Sequence, residues 1–233
     1  YAKTLRGGSM ADFDRSRRGP YAWDLTRFMV SLSLRQKTPH HALLPKGVLK
    51  ALLKGYHRGF EHPERGWEQM RDLAGVTPEP WELTTDGYIA HGGKWLKELR
   101  ESPLAKDDAR VLALVAPYLD RYEVEEAGKG HGSMGFRDLV LVLLKPKAGG
   151  DRVLLNIKAV RSDPDTKWYR NPAPNDGERM LQAAELYAPG WEDGSSRAEL
   201  DGVEYYVRRI PPHNVKLKKL LDRDQLEDLA YAV

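Results

Sequence analysis

The sequence predicts an α+β protein, because the spacing of its apolar residues changes along the chain. Through most of the first half they recur at helical spacing, whereas after Glu123 they form short runs rich in Val and Leu that are typical of strands. The last segment returns to helical spacing. The 233 residues, 41% of them apolar, suffice for one large domain or two small ones with a hydrophobic core.

The first half contains four predicted helices. Residues 1–10 end in a Gly-Gly-Ser-Met sequence typical of an engineered joint, so we treat them as an appended or displaced segment. Residues 11–120 are predicted to form a mainly helical lobe, in which the Pro- and Thr-rich residues 75–90 are a connecting segment. Its helices are expected from Tyr21 to Leu34, from Lys46 to Tyr56, from Gly66 to Ala74 and from Lys106 to Pro117.

The second half predicts a β-rich lobe over residues 121–212. Two apolar runs separated by a Gly-Gly-Asp turn have the pattern of a hairpin, and a run of β-branched and aromatic residues before Pro211 predicts a further strand. A helical return segment then covers residues 213–233. The expected elements are strands Arg137–Lys145, Arg152–Val160 and Val203–Ile210 with a helix Glu178–Tyr187 between the last two.

Composition excludes several classes of protein. The longest apolar run, 139–144, has six residues, far below the roughly 20 that a membrane-spanning helix needs. The absence of cysteine excludes disulfides, thiol catalysis and zinc–thiolate sites. Because the N-terminal residues also lack a secretory pattern, we expect a cytoplasmic protein that has no membrane partner.

The charge is unevenly distributed. The net charge is +3, yet residues 1–60 carry +9 and residues 61–233 carry −6. The basic part is either an ordinary solvated surface or a surface that meets anions. A non-catalytic module that binds nucleic acid or an acidic protein is therefore an alternative function, although the sequence pI of 8.9 and the lack of a nucleic-acid motif make nucleic acid the weaker choice.

A glycine-rich segment is the first candidate for chemistry. Gly130, Gly132 and Gly135 form G-x-G-x-x-G with Ser133 inside it. A dinucleotide-binding fingerprint would need a helix after the glycines, but here a predicted strand follows. Protein kinases place their glycine loop between two antiparallel strands, where backbone N–H groups cover the phosphates of ATP. The pattern favours that arrangement over a glycine turn without a ligand.

A lysine on the next strand is the second candidate. Lys158 lies in VLLNIKAV, and at period two it shares a face with Leu154 and Asn156 while Val153, Leu155 and Ile157 share the other. We expect the first face to line a cleft and the second to join the core. In kinases the corresponding lysine is held by a helix glutamate, for which the following helix offers Glu178 or Glu185. An edge-strand lysine that snorkels to solvent is the alternative.

Paired carboxylates near the N-terminus are the third candidate. Asp12 and Asp14 are separated by one residue, a spacing that suits chelation of a hard cation such as Mg²⁺. Two aspartates that cap a turn are the ordinary explanation. A carboxylate-and-lysine metal nuclease is disfavoured, because Asn156 stands where a second acid would be needed.

The ordered set of these segments resembles an uncharacterised bacterial family of domain-of-unknown-function proteins with a kinase-like fold. The matching segments are, in chain order, ADFDRSRRGPYAWDLTRF, GKGHGSMGFRDLVLVLL, VLLNIKAV, DGERMLQAA and EYYVRRI. The resemblance implies a two-lobed fold similar to aminoglycoside phosphotransferases, with a small antiparallel sheet lobe and a helical lobe. The metal-binding aspartate precedes the glycine loop, so the two halves look circularly permuted.

The resemblance also implies ATP and Mg²⁺ as cofactors and a phosphotransferase activity toward an unidentified acceptor. The residues it assigns are Asp12 for Mg²⁺ with Asp14 assisting, Gly130, Gly132, Ser133 and Gly135 for the phosphate loop, Lys158 for a phosphate and Glu178 for that lysine. The family's His-x-Asp-x-x-x-x-Asn catalytic loop is missing, because none of the seven histidines falls two residues before an aspartate. The expectation is an ATP- and Mg²⁺-binding kinase-like protein that is incomplete or inactive as this chain.

Overall fold

A computed structural model describes residues 16, 18–20, 22–35, 46–62, 84–131, 139–160, 162, 171–187, 194–210 and 223–232. These residues divide into two compact units. One contains residues 18–62 and 223–232, and the other contains Ser16 and residues 84–210. The predicted helix Gly66–Ala74 lies outside the described residues.

The first unit is helical. It contains α1 (Ala22–Arg35), α2 (Lys46–Glu61) and α7 (Arg223–Ala232), and the first two begin close to where the sequence predicts them. Helices α2 and α7 approach closely at Gly55, where a Cβ atom would lie 1.9 Å from the carbonyl oxygen of Glu227. Lys54 and Arg58 form ion pairs of 3.0 and 2.9 Å with the Glu227 carboxylate. Burial raises the pKa of that carboxyl, but the hydrogen bonds from both cations outweigh it and lower the pKa overall.

The second unit is built on a six-stranded antiparallel sheet in the order β1-β2-β3-β4-β6-β5. Its mixture of helices and sheet confirms the α+β class. The strands are β1 (Pro103–Leu104), β2 (Tyr122–Lys129), β3 (Leu139–Pro146), β4 (Val153–Ala159), β5 (Ser196–Leu200) and β6 (Val203–Arg209). The helices of this unit are α3 (Thr85–Ala90), α4 (Lys94–Glu101), α5 (Ala109–Leu114) and α6 (Asp176–Tyr187).

The two faces of the sheet carry different layers. The first face packs against α5 and the following 3₁₀ turn, Ala116–Tyr118. The second face packs against α4 on one side and α6 on the other. Strand β4 follows the predicted alternation: Val153, Leu155 and Ile157 belong to the first-face core, and Leu154 belongs to the second face.

The helix predicted from Lys106 to Pro117 is shorter than expected. It starts after Asp108, whose carboxylate accepts hydrogen bonds from the backbone N–H groups of Arg110 and Val111 at 2.8 and 3.2 Å. Such N-cap bonding satisfies N–H groups that have no partner within the helix. The helix ends at Leu114 and continues as the 3₁₀ turn that contains Pro117. Residues 75–90 are predicted to be a connecting segment, but the last six of them, Thr85–Ala90, form helix α3.

Candidate functional site

The glycine-rich segment connects two antiparallel neighbouring strands. Lys129 in β2 pairs with Val140 in β3, and the N–H of Gly130 donates to the carbonyl of Leu139 at 2.9 Å. Gly130 has no room for a side chain, because a Cβ atom would lie 2.7 Å from Cδ2 of Leu139. Gly132, Ser133 and Gly135 lie outside the described residues. The segment thus lies between antiparallel strands, as its pattern favours, although β2 is not among the strands predicted from the sequence.

Lys158 lies at the same end of the sheet as this glycine connection. The register places it opposite Leu139 in β3 and opposite Tyr206 in β6. Directly opposite residues share a face, so Gly130, Leu139, Lys158 and Tyr206 form one row on the second face. With strands about 4.8 Å apart, the backbones of Gly130 and Lys158 are about 10 Å apart. Lys158 itself is half-buried.

Glu178 lies in the first turn of α6. Its N–H donates to the side-chain oxygen of Asn175 at 2.8 Å, which caps the helix. Its carboxylate accepts from Gln182 at 3.3 Å and lies 4.0 Å from the guanidinium of Arg197 in β5. Because Arg197 stands opposite Tyr206, it extends the row that contains Lys158. Glu178 therefore belongs to the second face, and its role as the partner of Lys158 stays a prediction.

Arg179 links α6 to the segment that follows the paired carboxylates. Its side chain is 4% exposed and forms a 2.8 Å ion pair with Asp176. Its guanidinium also donates to the backbone carbonyl and, at 3.2 Å, to the hydroxyl of Ser16. Asp12 and Asp14 lie outside the described residues. Sequence reasoning missed Arg179, since a lone arginine in an amphipathic helix looks solvent-exposed.

A second residue that sequence reasoning left without a role is Asn156. It is fully buried, and neither its amide nitrogen nor its amide oxygen has a hydrogen-bond partner. It faces Leu141 in β3 and Arg208 in β6 and shares the second face with Lys158. A buried polar group without a hydrogen bond costs about 1–3 kcal/mol. The expectation that this face of β4 lines a cleft is therefore modified: Leu154 and Asn156 are covered, and Lys158 is partly open.

A buried glutamate fixes the start of the glycine connection. Glu98 in α4 is 8% exposed, and its carboxylate accepts from the backbone N–H of His131 at 3.1 Å. Lys94, one turn earlier, lies 3.4 Å from the same carboxylate. Helix α4 therefore holds the first residue after Gly130 in place.

The neighbouring edge of β2 is held to α4 by a two-pronged ion pair. Arg100 donates to both oxygens of Glu126 at 2.8 and 2.6 Å. These hydrogen bonds lower the pKa of the Glu126 carboxyl against the opposing effect of burial. Glu126 follows the bulge of β2 at Glu125, which lies 3.3 Å from Arg152.

Among the described residues, no three His, Asp or Glu side chains are grouped so that they could hold a metal ion. The same part of the chain contains no helix with the length and apolar character needed to cross a membrane. Comparison of the chain with models of known protein families, with curated proteins and with solved structures finds no significant match. The features of this protein that bear on its function are therefore the second face of the sheet and the sequence motifs around it.

Proposed function

We propose that the protein binds ATP with Mg²⁺ through the second face of its sheet and acts as a kinase-like phosphotransferase or as its nucleotide-binding remnant. The observation that carries the proposal is the row formed by Gly130, Leu139 and Lys158. A lysine one strand beyond a glycine-rich hairpin connection supports the proposal, because a cation and backbone N–H groups are what phosphate oxygens bind.

The charges of this region suit a triphosphate. The ammonium group of Lys158 would contact phosphate oxygens, and glycines without Cβ atoms let backbone N–H groups approach them closely. Helix α6 supports the lysine row through Glu178 and Arg197. Positioning of the phosphates and stabilisation of their charge are the main requirements of phosphoryl transfer.

The paired carboxylates fit a magnesium ion bound beside the phosphates. Mg²⁺ prefers oxygen ligands, and in nucleotide-binding sites these are usually one or two carboxylates together with phosphate oxygens. The contact between Arg179 and Ser16 joins α6 to the chain two residues after Asp14. Bound Mg²⁺ would neutralise phosphate charge.

Isothermal titration calorimetry of the full chain with ATP, in Mg²⁺ and in EDTA, tests the proposal. We expect Mg²⁺-dependent binding that weakens at least tenfold in Lys158→Ala. The matched control is Lys145→Ala, which removes an exposed lysine of β3 that lies 3.7 Å from Glu123, about 20 Å along the sheet from the candidate row. Equal ATP affinities of the Lys158→Ala variant and the wild type would refute the proposal.

A non-catalytic module that binds an acidic partner is a second candidate, favoured by the surface of α2. Lys46, Lys50 and Lys54 recur every four residues and lie beside Leu49 and Leu53 around one shallow depression. Residues four apart lie on one side of a helix. If this surface is the binding site, affinity for an acidic polymer such as heparin falls steeply with salt, and Lys158→Ala leaves it unchanged.

A further inference from the structure

The unsatisfied amide of Asn156 distinguishes this position from the other buried polar groups of the sheet. Glu125 and Arg208 also have one buried polar atom each without a hydrogen bond, but the other oxygen of Glu125 contacts Arg152 and the Arg208 side chain has a further interaction. Asn156 has no hydrogen bond from either amide atom. Buried amides in folded proteins nearly always have partners. An amide left in this state on a sheet face is therefore a candidate contact for a ligand.

The residues around Asn156 define what kind of ligand suits it. Lys158 is two residues along the same strand, about 6.7 Å away, and Arg208 stands directly across in β6. Apolar side chains packed on α4 lie on one side, and Tyr206, packed on α6, lies on the other. The two cationic residues suit an anionic group at one end of a ligand. The neutral amide and the apolar groups beside it suit an adjoining part that is uncharged and flat and has polar atoms along its edge.

We propose that Asn156 contacts the nucleoside part of the nucleotide whose phosphates meet Lys158. This inference depends on the proposed function and specifies which part of the ligand each residue contacts. An asparagine side chain offers one acceptor and an NH₂ donor side by side. It can therefore form two hydrogen bonds with an uncharged group that has a donor next to an acceptor. Both the edge of a nucleobase and the ribose diol have such a pair.

Asn156 is fully buried, so a ligand reaches its amide only if neighbouring side chains move. Lys158 and Arg208, its neighbours on this face, are both partly exposed, although the Nε atom of Arg208 is buried, and their long side chains are the ones whose movement the proposal requires. The ligand then supplies the hydrogen bonds that the free protein lacks at this amide.

The test compares two probes with two variants of the full chain. ATP carries the phosphates and the nucleoside, whereas inorganic tripolyphosphate carries the phosphates alone. We expect Asn156→Leu to weaken ATP binding at least fivefold and to leave tripolyphosphate binding unchanged, and we expect Lys158→Ala to weaken both. Leu154→Val, a conservative change on the same face of the strand, controls for altered packing and should change neither affinity.

A stability measurement separates a binding role from a structural one. Because the amide of Asn156 makes no hydrogen bond in the protein, we expect Asn156→Leu to unfold at the same temperature as the wild type or a higher one. If the leucine variant unfolds several degrees earlier, the asparagine serves the fold and the inference is wrong.

Two nucleotide analogues identify the contacted edge. Inosine triphosphate changes the purine edge, and 2′,3′-dideoxy-ATP lacks the ribose diol. For the analogue that lacks the contacted group, we expect wild type and Asn156→Leu to bind with equal affinity. Equal ATP affinity of Asn156→Leu and wild type, or an equal loss for tripolyphosphate, would overturn the inference while the effect of Lys158→Ala still supports nucleotide binding. Failure of the wild type to bind ATP would remove both proposals.

Discussion

The replacement Gly128→Ala tests how closely α4 must approach the sheet at the start of the glycine connection. A Cβ atom on Gly128 would lie 2.0 Å from the carbonyl oxygen of Leu99 and 2.9 Å from its Cα atom. These are backbone atoms of α4, so no side-chain rotation relieves the overlap. Helix and strand must separate by roughly 1–1.5 Å to restore ordinary van der Waals contact.

This separation has a calculable effect on stability. Leu96 and Leu99 are each 1% exposed and form the second-face core with residues of β3 and β4. Forcing extra atoms into a packed core typically costs about 1–3 kcal/mol. Because the overlap here is with backbone, we expect the upper part of that range, about 2–3 kcal/mol. For a chain of this size that corresponds to a fall in unfolding temperature of about 4–12 °C.

Differential scanning calorimetry of the variant measures the fall directly. The matched control is Gly47→Ala in the first turn of α2, where an added Cβ has no heavy atom within 4 Å; this change should stabilise by less than the roughly 0.5–1 kcal/mol expected in the middle of a helix. A Gly128→Ala protein that unfolds at or above the wild-type temperature would refute the close packing of α4 on β2.

The remaining predictions concern two ion pairs and one surface. Because Arg100 lowers the pKa of Glu126, that carboxylate contributes stability above about pH 4.3 and loses it as the pH falls through its lower folded pKa. Glu126→Gln should therefore cost about 0.2–1 kcal/mol at pH 7 and almost nothing at pH 2 in urea denaturation; a cost that persists at pH 2 contradicts this. Arg179→Met leaves the carboxylate of Asp176, only 20% exposed, without its cation and should cost about 2–3 kcal/mol, whereas Arg197→Met, 47% exposed, should cost under about 0.5 kcal/mol. Similar losses in both variants would contradict the buried role of Arg179. If α2 is a docking surface, heparin affinity drops at least tenfold between 50 and 200 mM salt, and an affinity that does not change with salt removes that candidate.

The sequence predicts the centre of the sheet well, because its signals there are local. The strands at 139–146 and 153–159 carry uninterrupted Val- and Leu-rich runs, and both faces of the first run are buried in the structure. The turn between them contains Gly149 and Gly150, both at positive φ. Helix α6 and strand β6 begin within two residues of their predicted starts.

Other elements escape prediction because their stability comes from tertiary contacts. Strand β5 reads SRAEL, with little β propensity, and among the described strands its backbone pairs only with β6. Its turn does carry a signal: Asp201-Gly202, both at positive φ, forms the two-residue loop that Asp-Gly sequences favour. Helix α4 reads KWLKELRE, and its two buried leucines are apparent only once the sheet provides a surface for them.

The residues of the candidate site also fall into those that local sequence patterns indicate and those that only tertiary contacts bring together. The glycine hairpin and Lys158 follow from spacing along neighbouring strands, whereas the contact between Arg179 and Ser16 joins residues 163 positions apart. A pattern read along the chain carries no information about such a contact. The missing partners of Asn156 are likewise a property of the folded sheet, since they depend on what Leu141 and Arg208 place beside it.

Hydrogen–deuterium exchange with and without ATP and Mg²⁺ tests most directly whether the second face of the sheet is the nucleotide site. We predict that nucleotide slows exchange in peptides covering residues 128–139 and 154–160 and leaves α2 peptides unchanged, and that Lys158→Ala abolishes this protection. Unaltered exchange in both sheet peptides at saturating ATP, or protection confined to residues 46–61, would contradict the proposed site.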